Sequence, residues 1–387
     1  MKYKLKDIFD LQMGKTPSRN NIEYWNTKDF KWISISDLTK AHGYISETKE
    51  YISERAVSES GIKIIPANTV VMSFKLSIGK TAITSEDMYS NEAIMAFHDK
   101  HVVEILPEYI FYIFKYKKWD EDSNNAVMGK TLNKAILSEA EIEICSIEEQ
   151  RVIVDILDNM MSVLESRGTE LDLLDNLIKA RFVEMFGDPV ANDKRWDTLS
   201  LENACKTIID CPHSTPSYTY ENTGFMCIRT SIVKKNRILW DDIEYIPEDE
   251  FEKRIQRKQP TVGDIVYTRE GAILGIAAII DRNYNVALGQ RSMLLSPDTD
   301  KCASEFLCVA MNSDSFLDNV LKGVSGSASP HINVGDIKAF KMIMPPVELQ
   351  NQFAAFIHQV DKSKVVVQKA LDEAQILFDS LMQKYFG

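Results

Sequence analysis

The chain repeats itself at an offset of 200 residues, and that constrains its fold more than any motif does. Ile147-Glu148-Glu149-Gln150 faces Val347-Glu348-Leu349-Gln350, and Leu132-Asn133 faces Ile332-Asn333 at the same offset. Leu171 faces Leu371, Leu177 faces Leu377, and Phe186-Gly187 faces Phe386-Gly387. Upstream the match continues with small slips. Thr16-Pro17-Ser18 corresponds to Thr215-Pro216-Ser217, and the stretch from Phe30 to Ser36 corresponds to that from Phe225 to Ser231. Tyr51-Ile52 corresponds to Tyr245-Ile246, and Val70-Val71-Met72-Ser73 to Ile265-Val266-Tyr267-Thr268. The slips belong in surface loops, where insertions are tolerated. Two copies are too few for a solenoid, so the pattern reads as tandem duplication of one domain and one helix.

The end of each copy carries a heptad. In the first, Ile153, Leu157, Met160, Leu164, Arg167, Leu171, Leu174, Ile178, Arg181 and Met185 follow one another in alternating steps of four and three. In the second the series is Phe353, Ile357, Val360, Lys364, Val367, Leu371, Ala374, Phe378, Leu381 and Tyr385. Such steps lay residues along one stripe of a helix, as in a coiled-coil seam. Only Arg167, Arg181 and Lys364 interrupt the apolar rule. Each helix is expected to run roughly 35 residues, about 50 Å at 1.5 Å per residue. Gly168 inside the first costs about 1 kcal/mol relative to alanine. Gly187 and Gly387 stand where a helix-terminating glycine belongs, and Pro189 follows the first of them. Helices of this length are too long for one small domain to cover. We expect them to pair antiparallel, as a spacer between two globular units. The predicted division is residues 1–146, 147–187, 188–346 and 347–387, alternating domain and helix. A pseudo-twofold object of this kind suits a target with two related halves, and duplex DNA is the leading candidate.

The globular units read as α+β. A helix is expected over Glu54–Ser60, with strands over 63–65 and 69–73 around the turn Pro66-Ala67-Asn68. The second copy predicts a helix over 248–256 and a turn and strand from Gly263 to Tyr267. Further helices are expected over 108–118 and Ser304–Met311, and the tract 323–329, rich in glycine and serine, reads as a loop.

With 387 residues, 44% hydrophobic and 26% charged, the composition is that of an ordinary globular protein. No apolar run approaches a membrane span, and Met1-Lys2-Tyr3-Lys4-Leu5 lacks the apolar core of a signal peptide. The expectation is therefore a cytoplasmic protein without a membrane partner. The six cysteines form no C-x-x-C pair and read as small buried hydrophobes rather than zinc ligands. A net charge of −12 argues against nucleic acid at first sight. Much of the acid lies in the first heptad segment, where nine carboxylates face four bases. The stretches Lys234-Lys235-Asn236-Arg237 and Lys253-Arg254 with Arg257-Lys258 are locally basic. An isolated chain of this charge is expected to bind DNA weakly, with other subunits supplying part of the phosphate contact.

Catalytic signatures are missing. Gly129-Lys130-Thr131 resembles the end of a phosphate loop, but Asn124 stands where that loop needs its first glycine. No glycine-rich strand–helix turn marks a dinucleotide or adenosylmethionine pocket. No amino-methyltransferase tetrapeptide is present, and Glu139, Glu141 and Glu143 read as a solvated edge. Neither a catalytic nor a metal-ligating residue is assigned.

The layout resembles the specificity subunit of type I restriction–modification systems, over essentially the whole chain. The carriers are Lys4-Leu5-Lys6-Asp7-Ile8, Gly14-Lys15-Thr16-Pro17-Ser18 and Trp32-Ile33-Ser34-Ile35-Ser36-Asp37-Leu38. In the second half they are Gly263-Asp264-Ile265-Val266 and Met344-Pro345-Pro346-Val347-Glu348-Leu349-Gln350. The endings Met185-Phe186-Gly187-Asp188-Pro189 and Tyr385-Phe386-Gly387 complete the set. The first half departs in one place, with Cys145-Ser146-Ile147 where the second has Pro345-Pro346-Val347.

The resemblance implies a non-catalytic subunit with two target-recognition domains, each reading half of a split site in double-stranded DNA. The helices set the gap and dock two methyltransferase subunits. Restriction and translocase subunits join to complete the complex. S-adenosylmethionine, ATP and Mg are expected on those partners, and no cofactor on this chain. The rival readings are a self-contained DNA methyltransferase or nuclease, and a coiled-coil scaffold without a DNA role.

Base-reading chemistry favours Arg and Lys for guanine and Asn and Gln for adenine. The candidates in the first unit are Lys15, Thr16, Ser18, Arg19, Asn20, Ser36, Lys75, Lys80 and Lys130. In the second they are His213, Ser214, Tyr218, Arg229, Thr230, Arg269, Gln290, Arg291, Ser327 and His331. The loops differ between copies (His213-Ser214-Thr215 against Gly14-Lys15-Thr16), so the two half-sites should differ.

Overall fold

The computed structural model describes residues 1–25, 27–41, 43–75, 77–119, 132–322 and 330–387. Lys130, Ser327 and the 323–329 tract lie outside the described residues. The chain divides into two compact units, Met1–Arg167 with Ala370–Gly387, and Gly168–Lys369. Each long helix therefore gives one half to each unit.

Both units are α+β and repeat one topology. The first holds a sheet ordered Phe9–Met13, Ile94–Asp99, Val70–Ser73, Thr81–Thr84, Tyr44–Ile45, with all neighbours antiparallel except the last pair. The second holds Cys205–Asp210, Ser292–Pro297, Ile265–Thr268, Ala277–Ile279, antiparallel throughout. The unbroken apolar run Val70-Val71-Met72 follows from burial on both faces, because successive side chains point to opposite sides of a strand. Val70, Met72, Ile83, Met95 and Phe97 join a core with the helix Pro107–Tyr116, while Val71, Ala82, Ile94 and Ala96 join another. In the second unit Ile265, Tyr267, Met293 and Leu295 face the helix Ser304–Met311, and Val266, Ala278 and Leu294 face the opposite core.

The long helices run Ile147–Phe186 and Val347–Phe386, 40 residues each, about 60 Å. They exceed the expected span because the turns before the heptad are also helical. Ser146 and Glu149 form a capping box at the first, the serine N–H donating to the carboxylate at 3.1 Å and the hydroxyl accepting from Glu149 N–H at 3.3 Å. In the first unit Ile153, Leu157, Met160 and Leu164 share a core with Phe378 and Leu381. In the second Leu174 and Ile178 share one with Phe353, Ile357 and Val360. The pairing in each unit is antiparallel: early residues of one helix meet late residues of the other. Val367 is buried, and Leu171 and Leu371 are half-buried. Lys364, a polar break in the heptad, pairs with Asp175 across the second unit's helices and with Asp361 on its own helix.

A buried glutamine ties each helix start to its domain. Gln150 accepts from Leu106 N–H at 2.9 Å and donates to the carbonyls of Glu104 and Cys145 at 2.9 and 3.1 Å. Gln350 accepts from Ala303 N–H at 2.9 Å and donates to Lys301 and Pro345 at 3.1 and 2.8 Å. Both are fully buried. The repeated Gln in Glu-Glu-Gln and Glu-Leu-Gln is thus a structural clamp. It works equally after Ser146 and after Pro346, which explains why the departure at Cys145-Ser146 leaves the fold intact.

Gly187 ends the first long helix at φ +76°, and a Cβ there would collide with the carboxylate of Asp193, which accepts from Asp188 N–H at 2.9 Å. Gly187→Ala should cost about 2 kcal/mol, from left-handed strain plus the displaced acceptor. Chemical denaturation checks it.

Some expectations need correction. Residues 63–65 form no strand. Only Ile65 makes a bridge, with Met88, because the Gln12 side chain donates to the carbonyls of Lys63 and Ile64 at 3.3 and 3.0 Å. The helix expected over 108–118 is Pro107–Tyr116, and that over 248–256 is Glu248–Ile255. The structure adds two central strands, Ile94–Asp99 and Ser292–Pro297, that the sequence reading does not contain.

Candidate nucleic-acid interface

In the second unit the strand Cys205–Asp210 ends in a loop that carries several of the candidates. The Asp210 carboxylate holds Arg269 through two hydrogen bonds, 2.9 Å from Nε and 3.3 Å from Nη2, and also contacts His213 Nε2 at 3.1 Å. His213 Nδ1 lies 3.4 Å from the same guanidinium. Arg269 is buried, so it positions the loop rather than reaching outward, whereas His213 is exposed. Arg269 N–H donates to Arg291 carbonyl at 3.0 Å, and Arg269 carbonyl accepts from Ile332 N–H at 2.9 Å. Glu270 bridges to His331 through the backbone. These contacts bring His213, Arg269, Arg291 and His331 together.

Arg291 sits at φ +71°, a conformation rare outside glycine, and its side chain is exposed, 3.9 Å from Glu270. A left-handed arginine on an exposed turn is a strained feature of the kind that gathers at functional sites. Ser214 accepts from Arg254, whose guanidinium also pairs with Glu250 and donates to Leu288 carbonyl. Thr215 Oγ1 donates to Gln290 at 3.2 Å. Tyr218 and Arg229 form a neighbouring pair, the guanidinium 5.7 Å from the ring and salt-bridged to Glu244 at 3.0 Å. Burial raises the Tyr218 phenol pKa. Thr230 starts a single 3-10 turn, half-buried.

In the first unit Lys15 donates to Ser60 carbonyl, and Thr16 donates to Glu92, holding that carboxyl pKa below its usual value. Arg19 makes two bonds to Glu50 and stacks 3.7 Å over Trp25. Ser18 accepts from Trp25 Nε1 through its carbonyl, and Asn20 is exposed. Lys75 lies over the Phe74 ring at 5.2 Å. Ser36 and Lys80 belong to a second group around the helix Ile35–Lys40. Lys80 donates to Thr39 at 2.6 Å, and Ser36 meets the Ser34 hydroxyl at 2.8 Å. The loop cations are therefore largely engaged by carboxylates, carbonyls and rings.

One correspondence joins the two units. Thr16–Glu92 and Thr215–Gln290 are the same closure, a threonine hydroxyl reaching the turn before the central strand. Residue chemistry alone selected the threonine and Gln290 but not Glu92, Asp210, Glu270 or Thr215. A carboxylate does not stand out as a DNA contact, because it repels phosphate and suits only one base edge, cytosine N4. The duplication itself was the signal that could have found Glu92, since it aligns with Gln290.

Among the described residues no group of His, Cys, Asp and Glu could hold a metal ion. Burial pushes the Cys205 and Cys227 thiols up to about 12 and raises those of Cys211, Cys302 and Cys308. They are unreactive packing residues.

The chain is a duplicated two-domain α+β protein with two long helices, and comparison with known proteins gives its class. The model of the type I restriction modification DNA specificity domain matches residues 1–174 and 195–374. The chain belongs to that family, as a non-catalytic specificity subunit. It is similar to the type I restriction enzyme MjaIX specificity subunit of Methanocaldococcus jannaschii, at 24% identity over 98% of this chain and 91% of the relative. It is also similar to the EcoR124I/EcoR124II specificity subunit of Escherichia coli, at 29% identity over 41% of each. Among solved structures it resembles the type I S subunit from M. genitalium, with TM-score 0.54 and 13% identity over 100% of this chain and 96% of the other. A chain solved in work on complex assembly and conformational transition of the type I R-M system gives TM-score 0.57 and 18% identity over 100% and 97%. These likenesses show the fold. Specificity subunits assemble with other restriction–modification subunits and DNA, and no helix among the described residues is long and apolar enough to cross a membrane.

Proposed function

We propose that this chain is the address of a bipartite duplex site. The first domain reads one half-site, the second domain reads the other, and the long helices set the gap. The observation that carries this reading is the matched loop closure with different chemistry, Thr16–Glu92 in one domain and Thr215–Gln290 in the other. A carboxylate suits cytosine N4 and an amide suits adenine N6/N7, so equivalent positions favour different bases.

The helices serve as the docking surface for two methyltransferase subunits. Leu173, Leu177, Val365 and Val366 are exposed on the helix halves of the second unit, and Val163, Ile376 and Leu377 on those of the first. Exposed apolar side chains in such numbers favour a protein partner. Restriction and translocase subunits complete the assembly. S-adenosylmethionine, ATP and Mg belong to those partners in this reading. The site of action is the cytoplasm. Partner cations also offset the −12 charge that weakens DNA binding by the chain alone.

Binding of the chain with its methyltransferase partners to duplexes altered one base pair at a time tests the reading. Arg291→Ala should weaken the second half-site by about 1–3 kcal/mol and relax preference at one base. Unchanged affinity and unchanged preference would remove Arg291 as a reader.

A further inference from the structure

The basic run Lys253, Arg254, Arg257, Lys258 has no part in the loop contacts above except through Arg254. The structure folds it around a cavity of about 230 Å3 in the second unit, floored by Leu288 and Leu294. That is smaller than the clefts that take drug-sized ligands, and suits a single small charged group. Three of the four cations are engaged. Arg254 pairs with Glu250, Lys253 with Asp249, and Lys258 with Asp264. Arg257 differs: it is exposed, its hydrogen bond is a long one of 3.4 Å to Asp210 carbonyl, and no carboxylate pairs with it among the described residues. The one acid lining the cavity, Asp210, already faces Arg269 and His213.

The first domain closes the equivalent gap. There Gln12 crosses from the strand end to the carbonyls of Lys63 and Ile64. In the second sheet Ile209 takes the place of Gln12, pairing with Leu294 as Gln12 pairs with Ala96, and Arg257 and Lys258 stand for Lys63 and Ile64. Ile209 has no polar side-chain atom with which to cross, and Cys211 beyond it is buried, with its sulfur accepting from Ser292 N–H at 3.3 Å. The gap stays open and its mouth is cationic.

We infer that this cavity is a phosphate-binding subsite, in which Arg257, with Lys253 beside it, takes one phosphodiester of the DNA strand flanking the second half-site. The inference rests on the proposed reading of DNA by this domain. A guanidinium matches a phosphate through two parallel hydrogen bonds. Phosphate contacts fix register without carrying sequence information. Arg254 links the wall of the cavity to Ser214, so a phosphate held there anchors the reading loop.

The experiment uses the full chain with its methyltransferase partners and a duplex bearing its target. Arg257→Ala should bind cognate and mismatched duplexes about tenfold more weakly, the loss of one charge-assisted contact. The salt dependence should fall by about one unit of slope, with discrimination unchanged. A single methylphosphonate, moved along the flank of the second half-site, should at one position weaken the wild type equally and Arg257→Ala no further. If the variant matches the wild type in affinity and salt slope while the wild type still selects its target, the subsite is refuted and the DNA reading stands. If the wild type selects no target, both fall. Inorganic phosphate alone separates the other source. Stabilisation of the wild type but not of Arg257→Ala, with no coupled methylphosphonate position, would make this a free-anion site and overturn the DNA assignment.

Discussion

Gln350→Leu is expected to destabilise the second domain by about 3–5 kcal/mol. Its carboxamide is fully buried and completes three hydrogen bonds, to Ala303 N–H and to the carbonyls of Lys301 and Pro345. Leucine fills similar space but leaves one donor and two acceptors without partners. Each buried orphan costs about 1–3 kcal/mol, and local relaxation recovers part of the sum. Gln150→Leu should act alike in the first domain through Leu106, Glu104 and Cys145. Denaturant unfolding followed by domain-resolved hydrogen exchange checks both, because a two-unit chain need not unfold in one step. A loss under about 1 kcal/mol would show that the clamp is not what joins helix to domain.

Arg269→Ala should abolish recognition of the second half-site while sparing the first. Arg269 is buried and bound twice to Asp210, which also contacts His213. Removing it leaves the Asp210 carboxylate with only the exposed His213 beside it beneath the loop, at a cost of up to about 3–5 kcal/mol for a buried pair broken on one side. Part of that is lost stability. The rest appears as lost affinity, since Asp210 then repels phosphate and the loop loses its anchor. Arg269→Lys should restore only a fraction, because an ammonium does not reproduce the paired guanidinium bonds. Binding to duplexes carrying one half-site each separates the outcomes. An equal loss on both halves would show general unfolding instead.

Much of this architecture was legible from repetition and periodicity. The heptads give the two helices, and the unshifted register gives the duplication. The helix Glu54–Ser60 follows from its Ser53 cap, whose side chain accepts from Ala56 N–H at 3.1 Å. The central strands were harder. Ile94–Asp99 and Ser292–Pro297 are buried on both faces, so they lack the alternation that marks a strand with one wet face. The stretch 63–65 looked like a strand by composition, yet its ladder is taken by the Gln12 side chain.

The candidate interface was only partly legible. Residue chemistry finds groups able to touch DNA, but not which of them the protein has already engaged. Arg19 is bound to Glu50 and stacked on Trp25, and Arg269 is bound to Asp210. Those partners lie 31 and 59 residues away in sequence, so no local pattern reveals them. Arg291 is set apart by a left-handed backbone angle that spacing does not encode.

The most direct test of the account is methylome sequencing of a host with and without this gene, its methyltransferase partners present in both. The account predicts one modified motif that depends on the gene: two different half-sites separated by a fixed run of unspecified bases. An uninterrupted motif, a gap of variable length, or methylation indifferent to the gene would contradict it.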